Sequence, residues 1–288
     1  MLRKIKESRS ASFISVLVIY VLTGAVGLIV YDLLPFPFCF SLLIADVIAT
    51  VFCFIFSLIF KNASVYDPYW SVQPPFILTV CAIKNGVNFM GVLLLFAVWF
   101  WGIRLTSNWA YTFHGLKYQD WRYTMLCEKT GKFYPIINFV GIHLVPTLVV
   151  YLCTLPAVFA FEYSAHITIG SVIFACVCVA AATIQGIADI QMHKYRKNRT
   201  TPFIRTGLWK NSRHPNYLCE IIMWWGIAGA CFFAMPNRYY LFAGAIANTI
   251  LFLSVSIPMA DNRQSRKEGF AEYKKETRAL LPIPKFKK

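Results

Sequence analysis

The residues best equipped for chemistry cluster between Gln185 and Glu220. Residues 206–225 read TGLWKNSRHPNYLCEIIMWW, a glycine-containing loop that carries Lys210, Arg213 and His214 up to Pro215. Proline at a first helical position costs no hydrogen bond, because the N–H it lacks would have had no partner there. A helix is therefore expected from Pro215, with Asn216 and Glu220 four apart on one face with Met223, flanked by Tyr217 and Trp224. Glu220 becomes a carboxylate just inside an apolar segment, where burying a charge is expensive unless something pairs with it. Upstream, Gln185, Asp189, His193 and Arg196 fall within an arc of about 80° on a helix. Carboxylates that accept ribose hydroxyls, beside a loop of guanidinium groups that grip phosphates, suit a nucleotide. The same residues admit a plainer reading, in which Asp189 and Glu220 pair with Arg196 and Arg213 to close a helix hairpin.

The elements that must position these groups are membrane helices. Of 288 residues 58% are hydrophobic, 17% aromatic and only 14% charged, which is outside the balance of a soluble domain. Apolar runs cover residues 11–31, 38–60, 72–83, 87–105, 135–161, 167–189, 215–234 and 239–258, most near the length of about 20 needed to cross a bilayer as helix. The expected fold is an all-α polytopic bundle of eight transmembrane helices, or seven if the third run, with Pro74 and Pro75, is re-entrant. The first run is too long for a signal-peptide core and lacks a cleavage site behind it. The nine cysteines show no metal spacing and read as small buried hydrophobes.

The net charge of +15 does not indicate nucleic acid, because of where the charges sit. Alternating the loops places all but Lys84 and Arg238 of the 28 basic residues on one side. By the positive-inside rule that side is the cytosol, and both termini lie there.

Motifs within this frame resemble the C-terminal reductase domain of the steroid 5-alpha-reductase family, in its branch of uncharacterised integral membrane proteins. They are GLWKNSRHPNYLCEIIMWWG, the Ala188-Asp189-Ile190-Gln191 element, WGIRL at residues 101–105, QDWRY at 119–123 and EYKKETRALLP at 272–282. The resemblance runs from about Tyr69 to the C-terminus, so residues 1–65 are set apart as N-terminal helices and 66–288 as the reductase-like domain. It implies an oxidoreductase that binds NADPH at its cytosolic side and passes hydride to an activated carbon–carbon double bond of a steroid, sterol, polyprenoid or other lipid. It further implies that Asp189 and Gln185 contact the adenosine end, that Arg104, Arg122 and Arg196 meet phosphates, and that Asn216, Tyr217 and Glu220 meet the nicotinamide half. Arg213 and His214 complete the expected cofactor set. The substrate is expected to be apolar, with membrane lipids as surroundings and no nucleic acid as partner. The implied location is the endoplasmic reticulum in a eukaryote or the inner membrane in a bacterium.

The chain departs from that family at the substrate carbonyl. Characterised steroid reductases carry a Glu beside a Trp-x-x-Gln segment and a Tyr three residues before the conserved Arg. Here Trp70 and Gln73 match, but Pro74 and Trp101 stand at the two places. Either Asp67 and Tyr69 supply the acid from a neighbouring turn, or the substrate is not a 3-oxo-4-ene steroid, and the second is favoured. Two rivals remain. Isoprenylcysteine and phospholipid methyltransferases share the Arg-His-Pro-x-Tyr helix start and use S-adenosylmethionine, but usually carry a Glu-Glu pair where this chain has Asp261-Asn262. The other rival is a non-enzymatic lipid-binding membrane protein.

The remaining polar landmarks take plainer readings. His143 is a hydrogen-bonded core histidine, and Asp46 pairs with Lys84 or faces an internal cavity. The sequons at Asn62 and Asn198 fall in expected cytosolic loops and are unused. Tyr69, Trp70 and Trp109 read as interfacial anchors.

Overall fold

The computed structural model describes residues 2–283, and the terminal lysine-rich residues 285–288 lie outside them. The described chain is all-helical: α1 (Leu2–Glu7), α2 (Arg9–Leu33), α3 (Phe38–Ile59), α4 (Tyr69–Asn85), α5 (Phe89–Thr112), α6 (Trp121–Thr130), α7 (Tyr134–Ile137), α8 (Val145–Glu162), α9 (Ile169–Lys197), α10 (Pro215–Ala234), α11 (Ala243–Leu251), α12 (Ile257–Gln264) and α13 (Phe270–Glu276). Helices α7 and α8 are joined by a wide π-helical stretch, Asn138–Leu144, and α11 and α12 by another, Phe252–Ser256. Proline follows each stretch, at Pro146 and Pro258. Both therefore sit where the regular i→i−4 ladder would lose a donor.

Seven segments are long and apolar enough to cross a membrane: α2, α3, α5, the continuous stretch Trp121–Glu162, α9, α10 and Tyr239–Gln264. The chain is an integral membrane protein. The third apolar run does form a helix, α4, but its 17 residues span only about 25 Å, less than the roughly 30 Å hydrocarbon core. It is buried among its neighbours along most of its length, Pro74 and Pro75 included.

Periodicity explains which faces are buried. On α2 only Ser12, Val16, Ile19 and Thr23 are buried, a stripe at spacings of four and three, while Ile14, Leu17, Val18 and Val21 stand exposed to the surroundings. Such a helix packs on one side and meets lipid on the other. The α9–α10 hairpin is the centre of the bundle, and α10 buries Cys219, Glu220, Met223, Trp224 and Ile227 on one continuous face. Helices α4 and α5 cross closely at Gly102, where a Cβ would come within 2.6 Å of Pro75 Cγ and 2.7 Å of the Ser71 carbonyl. Among the cysteines, six are buried as expected, but Cys127 and Cys176 are exposed and Cys39 is half-buried.

Candidate functional site

A polar cavity of about 850 Å³ opens where one end of α5, α9 and α10 meets the starts of α4 and α6 and the tail helices α12 and α13. Its wall brings together Asp67, Arg122, Asp189, Arg196, Arg213, His214, Asn216 and Tyr217, all singled out from sequence, with Arg199, Arg263 and Lys267, which were not. Three further expected residues, Arg104, Gln185 and Glu220, lie behind this wall, and Tyr69 faces elsewhere.

Each sequence motif has a local job in building the cavity. Asp120 caps α6 by accepting the Arg122 backbone N–H at 2.8 Å, and it also accepts from the Arg122 guanidinium at 2.8 and 3.2 Å. Burial alone would raise the Asp120 carboxyl, but the Arg122 charge and hydrogen bonds hold it below the usual carboxylate range. Tyr123 donates to Asp67 at 2.7 Å, and the Gln119 side-chain oxygen accepts the Ala63 N–H at 2.9 Å, so QDWRY pins the 63–67 loop. Burial pushes the Asp67 carboxyl up to about 6, against the lowering influence of Arg122. In the 206–214 loop, Gly207 has φ +59°, and a Cβ there would lie 2.4 Å from Gln191 Oε1. Only glycine fits. The Gln191 oxygen accepts the Leu208 N–H at 2.9 Å, and Trp209 donates to the Ala188 carbonyl at 3.1 Å, which locks the loop against α9.

The hairpin pairing read from sequence is replaced by a different arrangement. Asp189 pairs with Arg104 of α5 at 2.9 Å, not with Arg196. Arg213 pairs with Asp261 through Nε at 3.2 Å and Nη2 at 3.0 Å, and donates to the Thr277 carbonyl at 2.7 Å. His214 Nε2 meets the same Asp261 at 2.9 Å, and its ring stacks on Tyr217 at 5.2 Å. Arg213 and His214 are thus committed to docking the C-terminal tail, with their backbone N–H groups given to the Arg278 and Ala279 carbonyls at 3.1 and 3.0 Å. Asp261 is the residue sequence reasoning missed; its signal was a lone acid at the end of an apolar run, in a chain with a surplus of cations.

Among the described residues Glu220 makes no ion pair at contact distance, although the Arg104 charge is near enough to act on it. It accepts three neutral N–H groups: Trp101 Nε1 at 3.0 Å and Gln185 Nε2 at 2.9 Å on one oxygen, and Trp224 Nε1 at 3.0 Å on the other. Trp101 and Trp224 are almost wholly buried and pack edge-on at 4.9 Å. The Trp101 indole therefore points at a protein carboxylate.

The two weak acid candidates part company. Asp67 lines the polar cavity, whereas Tyr69 is buried on the opposite side of the first turn of α4 and donates to Asp46 at 2.8 Å. Tyr69 is accordingly no interfacial anchor. Asp46 does not pair with Lys84, which instead binds Asp32 at 2.9 Å; it faces a second, apolar cavity. His143 is buried with Nδ1 2.9 Å from the Asn138 carbonyl oxygen, and Asn62 is buried, its amide bound to Leu116 and Tyr118 carbonyls at 2.7 and 3.0 Å.

The electrostatics of the polar cavity are one-sided. Among the described residues none of Arg196, Arg199, Arg263 and Lys267 forms an ion pair, while Arg263 sits over the Trp121 ring at 4.2 Å. Burial, and then the positive charges of Arg199, Arg263 and Arg196, lower the Lys267 ammonium from its ordinary value. Cations held this close are stabilised by an anion.

Residues 53–277 match the family described as "Protein of unknown function (DUF1295)". The chain belongs to the DUF1295 family. An uncharacterized protein of Schizosaccharomyces pombe is 27% identical over 248 residues, covering 75% of this chain and 67% of the relative. No solved structure matches. The DUF1295 match takes in every residue lining the polar cavity and ends at Thr277, whose carbonyl receives Arg213; α2 and the first two-thirds of α3 lie outside it.

Proposed function

We propose that this DUF1295 protein is a membrane-embedded, NADPH-dependent reductase of a carbon–carbon double bond in an apolar lipid, of the steroid 5-alpha-reductase kind. The observation that carries the reading is the polar cavity, where four cations without ion-pair partners line one space with Asp189, Asn216 and Tyr217. Its volume falls within the roughly 300–1,000 Å³ of small-molecule sites.

The residues present fit a dinucleotide phosphate. Buried polar atoms around the cavity lack partners: Arg104 Nε and Nη2, Gln185 Oε1 and Asn216 Oδ1. Both donors and acceptors are thus left over beside the wall, as a ligand with phosphates, ribose hydroxyls and a carboxamide requires. Arg196, Arg199, Arg263 and Lys267 hold the phosphates, Asp189 and Asn216 orient the sugar-bearing part, and Trp70 and Trp109 close the membrane side against water. Glu220 acts from behind, fixing Gln185 and Trp101 as a positioning residue. Hydride transfer itself is the chemistry that NADPH supplies when bound. Trp101 is turned to Glu220 and Tyr69 to the other cavity, so Asp67 is the carboxyl best placed to hold a proton on the polar side. This supports a substrate other than a 3-oxo-4-ene steroid. S-adenosylmethionine, whose sulfonium is positive, is poorly suited to this cation-rich wall, and the methyltransferase acid pair has no counterpart because Asp261 is committed to Arg213 and His214.

Thermal unfolding of the purified protein in detergent tests the proposal. NADPH at about 100-fold saturation should stabilise it by roughly 2.7 kcal/mol, and NADH at the same concentration by less. A shift with S-adenosylmethionine and none with NADPH refutes it.

A further inference from the structure

A second cavity of about 510 Å³ lies between α2, α3 and α4. Nearly all of its wall is aliphatic or aromatic, and Leu17, Val21 and Phe76 at its margin are exposed on the lipid-facing side of α2 and α4. The deeply buried polar side chains in this wall are Thr23, Asp46, Tyr69 and Gln73, each at most 6% exposed, with the half-buried Tyr20 and Tyr31 beside them. Asp46 is saturated by its neighbours, since Oδ1 accepts Tyr69 at 2.8 Å and Oδ2 accepts the Gln73 amide at 2.5 Å. That arrangement fixes the Gln73 amide with its oxygen turned away, and Gln73 Oε1 has no partner. Thr23 Oγ1, on the facing helix, has none either. Unsatisfied buried polar atoms are rare and costly, and two of them in one apolar chamber point to a missing polar group.

We infer that this cleft is a lipid-entered binding site for an apolar molecule bearing a single hydroxyl. The amide oxygen only accepts, so its partner must donate; a threonine hydroxyl can donate or accept, so one alcohol serves both. A ketone has no proton to give Gln73. A carboxylate would find no cation in the lining, and an ammonium would bring a full charge to a chamber whose one carboxyl group already has its donors. The site is separate from the polar cavity: the first turn of α4 divides them, with Trp70 and Ser71 on one side and Tyr69 and Gln73 on the other. Thr23 and Asp46 also lie outside the DUF1295 match, so the chamber is built by adding the N-terminal helices to the shared domain.

Photolabelling of the full-length protein in lipid nanodiscs, without nucleotide, tests this independently of the proposed reductase activity. The probes are diazirine analogues of cholesterol and of farnesol, each competed by the parent alcohol and by its O-methyl ether, which cannot donate. At least one probe should label peptides of α2 or α4, with the alcohol competing about tenfold better than the ether, the worth of one hydrogen bond. Gln73→Leu should erase that preference, and Thr23→Val should reduce it; the second keeps shape and serves if the first does not insert. Absence of labelling by both probes, labelling confined to other helices, equal competition by alcohol and ether, or an unchanged preference in the inserted variants overturns the inference.

Discussion

Trp101 on α5 donates its indole N–H to Glu220 on α10 at 3.0 Å, joining two helices through a buried carboxylate. With Gln185 and Trp224 as further donors, Glu220 accepts three hydrogen bonds, and the Arg104 charge acts on it from nearby. Such bonds are worth about 1.5–3 kcal/mol apiece. Glu220→Gln leaves one donor facing an amide NH₂. Thermal stability without ligand should fall by roughly 2 kcal/mol, and Trp101→Phe should cost a similar amount. Unchanged melting in both variants would show that the carboxylate contributes nothing to helix packing.

The Arg104–Asp189 pair predicts a second outcome. Both side chains are about seven-eighths buried, so Asp189→Asn strands a guanidinium that already has two unpartnered nitrogens. The single change should cost about 3–5 kcal/mol. Combining Arg104→Met with Asp189→Leu should recover much of that loss, and strict additivity in a double-mutant cycle would dismiss the coupling.

Asp261 gathers Arg213, His214 and Lys274 at 3.0, 2.9 and 3.3 Å. Asp261→Asn should therefore loosen the tail before it unfolds the bundle. Limited trypsinolysis should show faster cleavage at Lys274, Lys275 and Arg278 while the membrane core persists. Equal cleavage rates in wild type and variant would mean the tail is held by other contacts.

The raised carboxyl of Asp67 gives a pH dependence with a definite sign. Its ordinary value is 3.8 and burial brings it to about 6 in the folded chain. Between about pH 4 and 6 the folded state holds a proton that the unfolded state has lost, so this residue's contribution to stability falls as pH rises through that window. Asp67→Asn should flatten the corresponding slope of melting temperature against pH. A variant with the wild-type slope would place the titration elsewhere.

Sidedness is the remaining expectation. Tags at both termini should be accessible from the cytosol, which the distribution of Lys and Arg demands and which makes the short α4 an eighth crossing beside the seven longer spans. Protection of a C-terminal tag in sealed vesicles, with an N-terminal tag exposed, would rule that arrangement out.

Much of this was legible in the sequence because it rests on local rules. Pro215 starts α10 and Asp120 caps α6 through short-range preferences, and the long spans follow from hydropathy. The membership of the polar cavity was largely readable because its walls come from helix ends adjoining basic loops. What the sequence concealed is pairing at long range. Arg213 and Asp261 are 48 positions apart, and Trp101 and Glu220 are 119 apart; no periodicity links such positions. The status of α4 was obscured for another reason. A helix buried in protein tolerates prolines and polar residues that a lipid-facing helix of the same length would not, and hydropathy cannot tell the two surroundings apart.

The docking of the tail onto the 206–214 loop also sets an order of events in biogenesis. Arg213 is synthesised and placed at the membrane long before its counter-charge, Asp261, and before the Thr277 carbonyl that completes its donors. Until Asp261 and Thr277 are made, the floor of the polar cavity carries an uncompensated guanidinium and an open loop. The nascent protein thus has its helices through α10 made while its site is unfinished. A chain truncated between Arg213 and Asp261 would span the membrane but present this unpaired charge, a feature by which membrane quality control could tell incomplete copies from finished ones.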